Sequence, residues 1–303
     1  MLLAVDIGNS NIVFGVFEGD ALLFHFRVET RKARTEDEYA ALLCGLFQLH
    51  GLSFQAGVPD APISGPVHLA IEETSGLRSA ASFPSALVMP ESRTKAERGI
   101  TAGVLATVVP PVLRAFHSLF VRYLGIDPVI VGPGTRTGMP VLYDNPREVG
   151  ADRIINAVAA YERYRSGCLV VDFGTATTFD VVTPKGEYLG GAIAPGIGIS
   201  ADALFHAAAK LPRVDLVRPR MVIGRNTVTS MQSGLVYGYV GLVDGIVDRM
   251  RAEVDFPLRV IATGGLAPLI ARDSRTIEDI DELLTLTGLR IIFERERRRN
   301  VRG

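Results

Sequence analysis

The chain has 303 residues, 32 Lys and Arg against 33 Asp and Glu, and a formal net charge of −1. A chain of this length buries a sizeable core and favours two domains of roughly 150 residues. The near-zero charge argues against a nucleic-acid partner, because that partner requires Lys and Arg concentrated on one face.

Cysteine content and hydropathy predict a cytoplasmic protein that does not bind a membrane. Cys44 and Cys168 are too few for a disulfide framework or a metal site by themselves, which favours a reducing compartment. The first residues lack a basic start and carry Asp6 where a signal peptide needs its apolar stretch. The most apolar long run, residues 234–247, is interrupted by Asp244 and is shorter than the roughly 20 apolar residues that a bilayer requires.

Strand and helix patterns of the first half recur in the second half. The first half predicts strands over residues 2–6, 12–17, 21–28, 102–108 and 128–131, and helices that begin after Thr35 and near Pro111. The second half predicts strands over residues 168–172, 178–182, 187–193 and 258–262, and helices over 197–209 and 227–254. Asp172 follows Asp6 by 166 residues in the equivalent place, which indicates an internal duplication with two similar hairpins face to face.

Domain boundaries follow from this duplication. We expect an N-terminal domain over residues 1–142 and a C-terminal domain over residues 143–303. Residues 58–98 hold five of the 17 prolines and six serines with weak periodicity, so they are interpreted as an insertion in the first domain.

Two hairpin turns carry the residues expected at a phosphate site. The first strand ends in Asp6, and a turn of Gly8, Asn9, Ser10 and Asn11 follows. Such a turn directs backbone N–H groups and short polar side chains at one point, which fits phosphate oxygens, while the neighbouring carboxylate can hold Mg²⁺ directly or through water. An ordinary hairpin turn uses the same residue types. The second copy, Asp172 followed by residues 173–178, favours a cleft that holds a polyphosphate from both sides.

Two further stretches suggest a nucleotide and a substrate contact. Thr263, Gly264 and Gly265 follow an apolar strand, so a base or ribose could lie against their backbone; an ordinary strand-to-helix turn is the alternative.

Asn145 suits a helix N-cap, which predicts that Asp152 and Arg153 lie about two turns into that helix. There Asp152 could accept a proton from a substrate hydroxyl and Arg153 could pair with a substrate carboxylate, whereas a helix-surface salt bridge is the alternative.

Other glycine patterns exclude one site, disfavour a second and predict one helix contact. The chain has no G-x-x-x-x-G-K-[ST] motif, which excludes a P-loop. The G-x-G-x-x-A match that begins at Gly196 follows Pro195 outside a simple strand-turn-helix unit, so a dinucleotide site there is disfavoured. The recurring glycines over residues 234–245 predict close helix packing, within the subunit or across a dimer.

The sequence resembles the type III pantothenate kinase family of the actin-like, sugar-kinase and Hsp70 ATPase superfamily, everywhere except residues 58–98. The resemblance rests on seven motifs: DIGNSN from Asp6, TVVPP from Thr107, YDNPREVGADR from Tyr143, VDFGTATTFD from Val171, GGAIAPGI from Gly190, GRNTVTSMQSG from Gly224 and ATGGLAP from Ala262. It implies two duplicated actin-like (ribonuclease H-like) α/β domains, each a mixed sheet flanked by helices, with the nucleotide cleft between them.

The resemblance also implies the reaction and its residues. Members phosphorylate pantothenate with ATP and Mg²⁺, depend on a monovalent cation (K⁺ or ammonium), and form homodimers. The implied ATP contacts are Asp6, Ile7, Gly8, Asn9, Ser10, Asn11, Ile12, Val13 and Thr175, with Asp6 beside Mg²⁺ through water. The implied pantothenate contacts are Tyr143, Gly150, Ala151, Asp152, Arg153 and Thr227. Asp152 resembles the proton acceptor, and Asp172 resembles the ligand of the monovalent cation.

Two other functions remain as alternatives at this point. A non-catalytic regulator could bind a nucleotide or metabolite on the same fold, but Asp6, Asp152 and Asp172 are all present, which favours an enzyme. A kinase of another small alcohol is less favoured, because residues 143–153 carry the substrate-side motif.

Overall fold

The computed structural model describes residues 1–52, 54, 99–132 and 135–300. The predicted insertion over residues 58–98 lies outside the described residues. The strands are β1 (Leu2–Ile7), β2 (Asn11–Glu18), β3 (Ala21–Glu29), β4 (Ala102–Thr107), β5 (Val129–Val131), β6 (Cys168–Phe173), β7 (Ala176–Val182), β8 (Tyr188–Pro195), β9 (Arg259–Thr263) and β10 (Asp279–Ile280). The helices are α1 (Glu36–Leu49), α2 (Pro110–Leu124), α3 (Ala151–Tyr164), α4 (Ile197–Ala207), α5 (Thr227–Glu253), α6 (Ala267–Ala271) and α7 (Leu284–Asn300).

The strands form two five-stranded mixed sheets of the same topology. The first sheet has the order β3-β2-β1-β4-β5, and the second has the order β10-β9-β6-β7-β8. In each, three consecutive strands pair antiparallel, and the first of them, β1 or β6, also pairs parallel with a later strand. The predicted duplication and the α/β class are confirmed.

The two central strands alternate their side chains between two cores. Leu3 and Val5 of β1 pack against α1 and α2, whereas Leu2 and Ala4 pack with residues of α3 and α7. In β6, alternate residues pack against α5 and α6, and Cys168 and Val170 join the core that α3 and α7 share. Helices α3 and α7 therefore lie between the sheets. Asp6 of β1 and Asp172 of β6 lie on the strand faces that point toward these helices.

The predicted start of α1 is confirmed in detail. Thr35 Oγ1 accepts a hydrogen bond from Glu38 N at 3.3 Å, and Glu38 Oε2 accepts one from Thr35 N at 2.7 Å, which completes the capping box. Tyr39, Leu43 and Phe47 on one face of the helix are buried against the first sheet.

The predicted helix after Asn145 is wrong. Asn145 instead caps a short 3₁₀ turn, Pro146–Glu148, by accepting a hydrogen bond from Arg147 N at 3.3 Å. The buried Val149 then takes an extended conformation, and α3 begins anew with Gly150 as its N-cap. Asp152 therefore lies in the first turn of α3 rather than two turns into a helix.

Two further expectations concern membrane-spanning helices and the glycines after Pro195. Among the helices of the described part of the chain, none combines the length and apolarity needed to cross a membrane. Gly196 follows β8, which is antiparallel to β7, so the glycines after Pro195 do not open a parallel strand-helix-strand unit.

Candidate active site

Two hairpin turns meet between the sheets. A hydrogen bond from Gly8 N to Asn11 O closes the first turn, and one from Gly174 N to Ala176 O closes the second, both at 3.0 Å. Ser10 Oγ and Thr175 Oγ1 lie 3.3 Å apart, although their residues are separated by 165 positions in the chain. Both side chains are exposed, so these turns line an opening that a ligand can enter.

Three carboxylates converge beside these turns. Asp6 near the end of β1, Asp172 near the end of β6 and Asp152 at the start of α3 are each half-buried. Burial raises the pKa of Asp6 to about 7, and the negative charges of Asp152 and Asp172 act in the same direction. Clustered acidic groups with raised pKa values are typical of functional sites, because structural stability alone does not favour them.

Asp172 is held by a hydrogen-bonded series of side chains. Asn156 Nδ2 donates to Asp172 Oδ2 at 3.0 Å, and Thr285 Oγ1 of α7 donates to Asn156 Oδ1 at 2.8 Å. Burial raises the pKa of Asp172 to about 7, further raised by the charges of Asp152 and Asp180, while the bond from Asn156 lowers it. These contacts fix the carboxylate without neutralising its charge.

The glycine pair after β9 packs directly on Asp172. Gly264 has φ +89°, and a Cβ atom there would lie 2.7 Å from Asp172 Oδ1. The position therefore requires glycine both for its left-handed backbone and for the space beside the carboxylate. The predicted Thr263–Gly265 segment and the second hairpin thus belong to one site, since Thr263 pairs with Asp172 across the sheet.

Asp152 occupies a confined position at the N-terminus of α3. Its Oδ1 accepts a hydrogen bond from Arg153 N at 2.9 Å. A Cβ atom at Gly150 would lie only 2.4 Å from that oxygen, so only glycine leaves room for the carboxylate in this pose. The first turn of a helix favours a negative charge, which suits a carboxylate that must be ionised to accept a proton.

Arg153 points into the interior, so the alternative of a helix-surface salt bridge is wrong. The residue is 7% exposed, and its Nε donates to Asp180 Oδ1 at 2.7 Å. Asp180 also accepts hydrogen bonds from Tyr188 Oη at 2.7 Å and from Thr178 Oγ1 at 3.0 Å. Arg153 Nη2 is buried without a hydrogen-bond partner among the described residues, which leaves its two N–H donors unused.

The remaining predicted substrate contacts fall in two places. Tyr143 is half-buried and its ring centre lies 6.4 Å from that of Tyr188, on the Arg153 side of the site. Thr227 is the exposed first residue of α5. It lines an open groove with residues of α4 and of the 224–226 segment, and neither Tyr143 nor Asp152 lines that groove.

Sequence reasoning missed several residues that order this site. Asn156 lies four positions after Asp152 on α3, so helical periodicity could have placed it on the same face. Asp180 ends the quoted motif of β7, but its partner Arg153 lies 27 residues away. Thr285 carries no local signal, because its contact with Asn156 depends on how α7 packs against α3.

The fold and the cleft define the class of this protein: an α/β protein with two duplicated mixed sheets and a polar cleft between them. The chain belongs to the type III pantothenate kinase family, whose model matches residues 2–96 and 63–249. The type III pantothenate kinase of Myxococcus xanthus is 53% identical over 97% of this chain and 98% of that protein. The one from Geobacter sulfurreducens is 51% identical over 98% of this chain and 100% of its own length.

A solved structure supports the fold alone. The conserved putative Baf family transcriptional activator from Campylobacter jejuni aligns with a TM-score of 0.53 at 16% identity. The alignment covers 98% of this chain and 99% of that one, so the similarity extends over both sheets.

Proposed function

We propose that the cleft between the two sheets performs the family's reaction, with Asp152 as the group that accepts the proton from pantothenate. The chain is an ATP-dependent pantothenate kinase, a transferase of coenzyme A biosynthesis. The observation that carries the proposed site is the convergence of Asp6, Asp152 and Asp172 where the two hairpin turns meet.

ATP is assigned to the two turns. The proposed contacts are Asp6, Ile7, Gly8, Asn9, Ser10, Asn11, Ile12, Val13 and Thr175. The 3.3 Å approach of Ser10 Oγ and Thr175 Oγ1 supports this assignment, because both hydroxyls can donate to one phosphate group.

The carboxylates fit bound cations. Asp6 and Asp172 are half-buried oxygen donors, and burial first and the neighbouring carboxylates second raise the pKa of each. No group of three or more His, Cys, Asp or Glu side chains among the described residues is placed to hold one ion. One or two carboxylates with water and phosphate oxygens are enough to hold Mg²⁺. We assign Mg²⁺ to Asp6 and a monovalent cation, K⁺ or ammonium, to Asp172; bound Mg²⁺ supplies charge neutralisation to the phosphates.

Pantothenate is assigned to the start of α3. Its carboxylate suits the unpaired Nη2 of Arg153, whose Nε remains held by Asp180. Tyr143, Gly150 and Ala151 complete this side of the site. Thr227 rests on the family resemblance alone, and its position on α5 connects it with the dimer proposed below.

Asp152 has a defined task in this scheme. Its carboxylate orients the substrate hydroxyl and takes the proton as the oxygen attacks the γ-phosphorus. Because phosphoryl transfer passes through a loose transition state, most of the acceleration comes from positioning and electrostatics. General-base catalysis of this kind contributes about 10² to 10⁴-fold.

A homodimer through α5 is also proposed. Cβ atoms at Gly234, Gly238 and Gly241 would meet nothing within 4 Å, so no element in the described part of the chain packs closely on that face. Apolar side chains nearby are unusually exposed, among them Val222 at 64% and Ile223 at 79%. Small residues beside exposed apolar ones suit a helix that packs against a second copy. Sedimentation of a Gly238→Gln variant as a monomer would support this, and an unchanged dimer would contradict it.

Free thiols support the cytoplasm as the compartment. Cys44 and Cys168 form no disulfide, and Cys168 is buried. A reducing compartment maintains this state.

Pantothenate-dependent ATP consumption tests the proposal. ADP release is measured with and without pantothenate, in buffers that contain K⁺, ammonium or only a bulky organic cation. We expect turnover that requires both pantothenate and a monovalent cation. Nucleotide binding without pantothenate-dependent turnover under any of these conditions would instead support the regulator, which relatives about 50% identical over nearly the full chain disfavour.

A further inference from the structure

Arg27 lies in the same row of the first sheet as Asp6. Asp6 pairs with Val13 of β2, and Val13 pairs with Arg27 of β3. Directly paired residues on adjacent strands point to the same face of a sheet. Val13 packs against the core of α3 and α7, so Arg27 faces the cleft rather than α1 and α2.

The side chain of Arg27 reaches the opposite wall of the cleft. A Cβ atom at Gly265 would lie 2.8 Å from Arg27 Nη1. Gly265 belongs to the segment after β9 that packs on Asp172, and both Arg27 and Gly265 are exposed. The guanidinium therefore lies over the opening between the sheets, where a ligand can reach it.

Arg27 has no assigned structural partner. Among the described residues, no carboxylate forms an ion pair with it and no acceptor forms a hydrogen bond with it. The other arginine of the site, Arg153, is held by Asp180 at 2.7 Å. The positive charge of Arg27 lowers the pKa of Asp6, which places the guanidinium within electrostatic reach of the carboxylates.

An unpaired arginine beside three carboxylates can attract a polyphosphate that enters the cleft. The carboxylates repel the phosphates, and a guanidinium offers several N–H donors to phosphate oxygens in a fixed geometry. We propose that Arg27 binds the phosphate chain of ATP across the cleft. This inference rests on the proposed function, and it adds a cationic side chain to the polar turns and carboxylates already assigned to the site.

The test measures nucleotide binding and kinetics for Arg27→Gln and Arg27→Lys. Calorimetry uses a non-hydrolysable ATP analogue and adenosine. We expect Arg27→Gln to weaken binding of the analogue about 10- to 100-fold, the range for a lost hydrogen bond to a charged group, and to leave adenosine binding unchanged. KM for ATP should rise while KM for pantothenate stays within about twofold, and Arg27→Lys should recover part of the loss.

Arg31→Gln is the matched control. Arg31 is exposed shortly after β3 and pairs with Glu29 at 2.9 Å, so its loss removes the same charge from a guanidinium that a carboxylate already neutralises. Binding of the analogue by Arg27→Gln at the level of the Arg31→Gln control would overturn the inference, and so would an equal loss of adenosine binding. A wild-type protein that binds the analogue but shows no pantothenate-dependent turnover would overturn the proposed function alone.

Discussion

The substitution Gly150→Ala changes the position of Asp152 without touching its carboxylate chemistry. The added methyl group would lie 2.4 Å from Asp152 Oδ1, whereas ordinary van der Waals contact begins at 3.4 Å. The oxygen must therefore move away by about 1 Å, a displacement that can cost roughly 10²-fold in rate. Gly150 has φ −57° and ψ 139°, which alanine adopts without strain, so the change acts through the contact alone.

The assay compares kcat for ADP release between Gly150→Ala and the wild type. We expect kcat to fall about 10²-fold, KM for ATP to stay within threefold, and stability to fall by no more than about 1 kcal/mol, since alanine is a poorer N-cap than glycine. Gly45→Ala in α1 serves as the control, because its new methyl group would meet nothing within 4 Å. A folded Gly150→Ala protein with kcat within threefold of wild type would refute the reasoning.

Three further outcomes follow from the site's charges and contacts. In the absence of Mg²⁺ and K⁺, folding takes up protons between pH 4 and 7, because the pKa of Asp172 rises from 3.8 in the unfolded chain to about 7 in the folded protein. The contribution of Asp172 to the free energy of unfolding therefore falls as the pH rises. Asp172→Asn should therefore raise the thermal midpoint more at pH 8 than at pH 5; equal shifts would contradict this. Asp180→Asn leaves Arg153 buried without its counter-charge and should cost about 3 to 5 kcal/mol in urea unfolding, whereas a loss below 1 kcal/mol would show the pair is unimportant. Ser10→Ala breaks an exposed contact with Thr175, so unfolding free energy should change by under about 1 kcal/mol while KM for ATP rises; an unchanged KM would remove Ser10 from the ATP site.

The sequence predicted the fold well where local patterns decide it. The duplicated strands around Asp6 and Asp172 have strong alternation or apolar runs, and polar turns follow them, so both hairpins could be placed. The capping box at Thr35 fixed the start of α1. Strand β10 has only two residues, which is too short for any periodic signal.

The error at α3 has a local cause. Asn145, Pro146 and Glu148 form a valid helix start, and they do cap a turn in the structure. The turn stops because Val149 is buried in the core, with an extended backbone that carries the chain to Gly150. Burial of one side chain therefore decided between one long helix and two elements, and local propensity does not report burial.

The site was predictable as a set of residues but not as a geometry. The equivalent positions of Asp6 and Asp172 indicated that two carboxylates meet. The pairing of Arg153 with Asp180 and the reach of Arg27 toward Gly265 depend on how the sheets pack on α3 and α7, which no local pattern encodes. The near-zero net charge of the chain remains consistent with a site for a polyanion. Such a site needs only a few cationic groups at defined positions, and these do not change the net charge much.

The assignment of Asp152 as the proton acceptor is tested most directly by Asp152→Asn in single-turnover phosphoryl transfer to pantothenate. The variant keeps the size of the side chain and is expected to fold and to bind the ATP analogue as the wild type does. We predict that its transfer rate falls by about 10² to 10⁴-fold. A folded Asp152→Asn protein that phosphorylates pantothenate at a rate close to wild type would contradict the central claim.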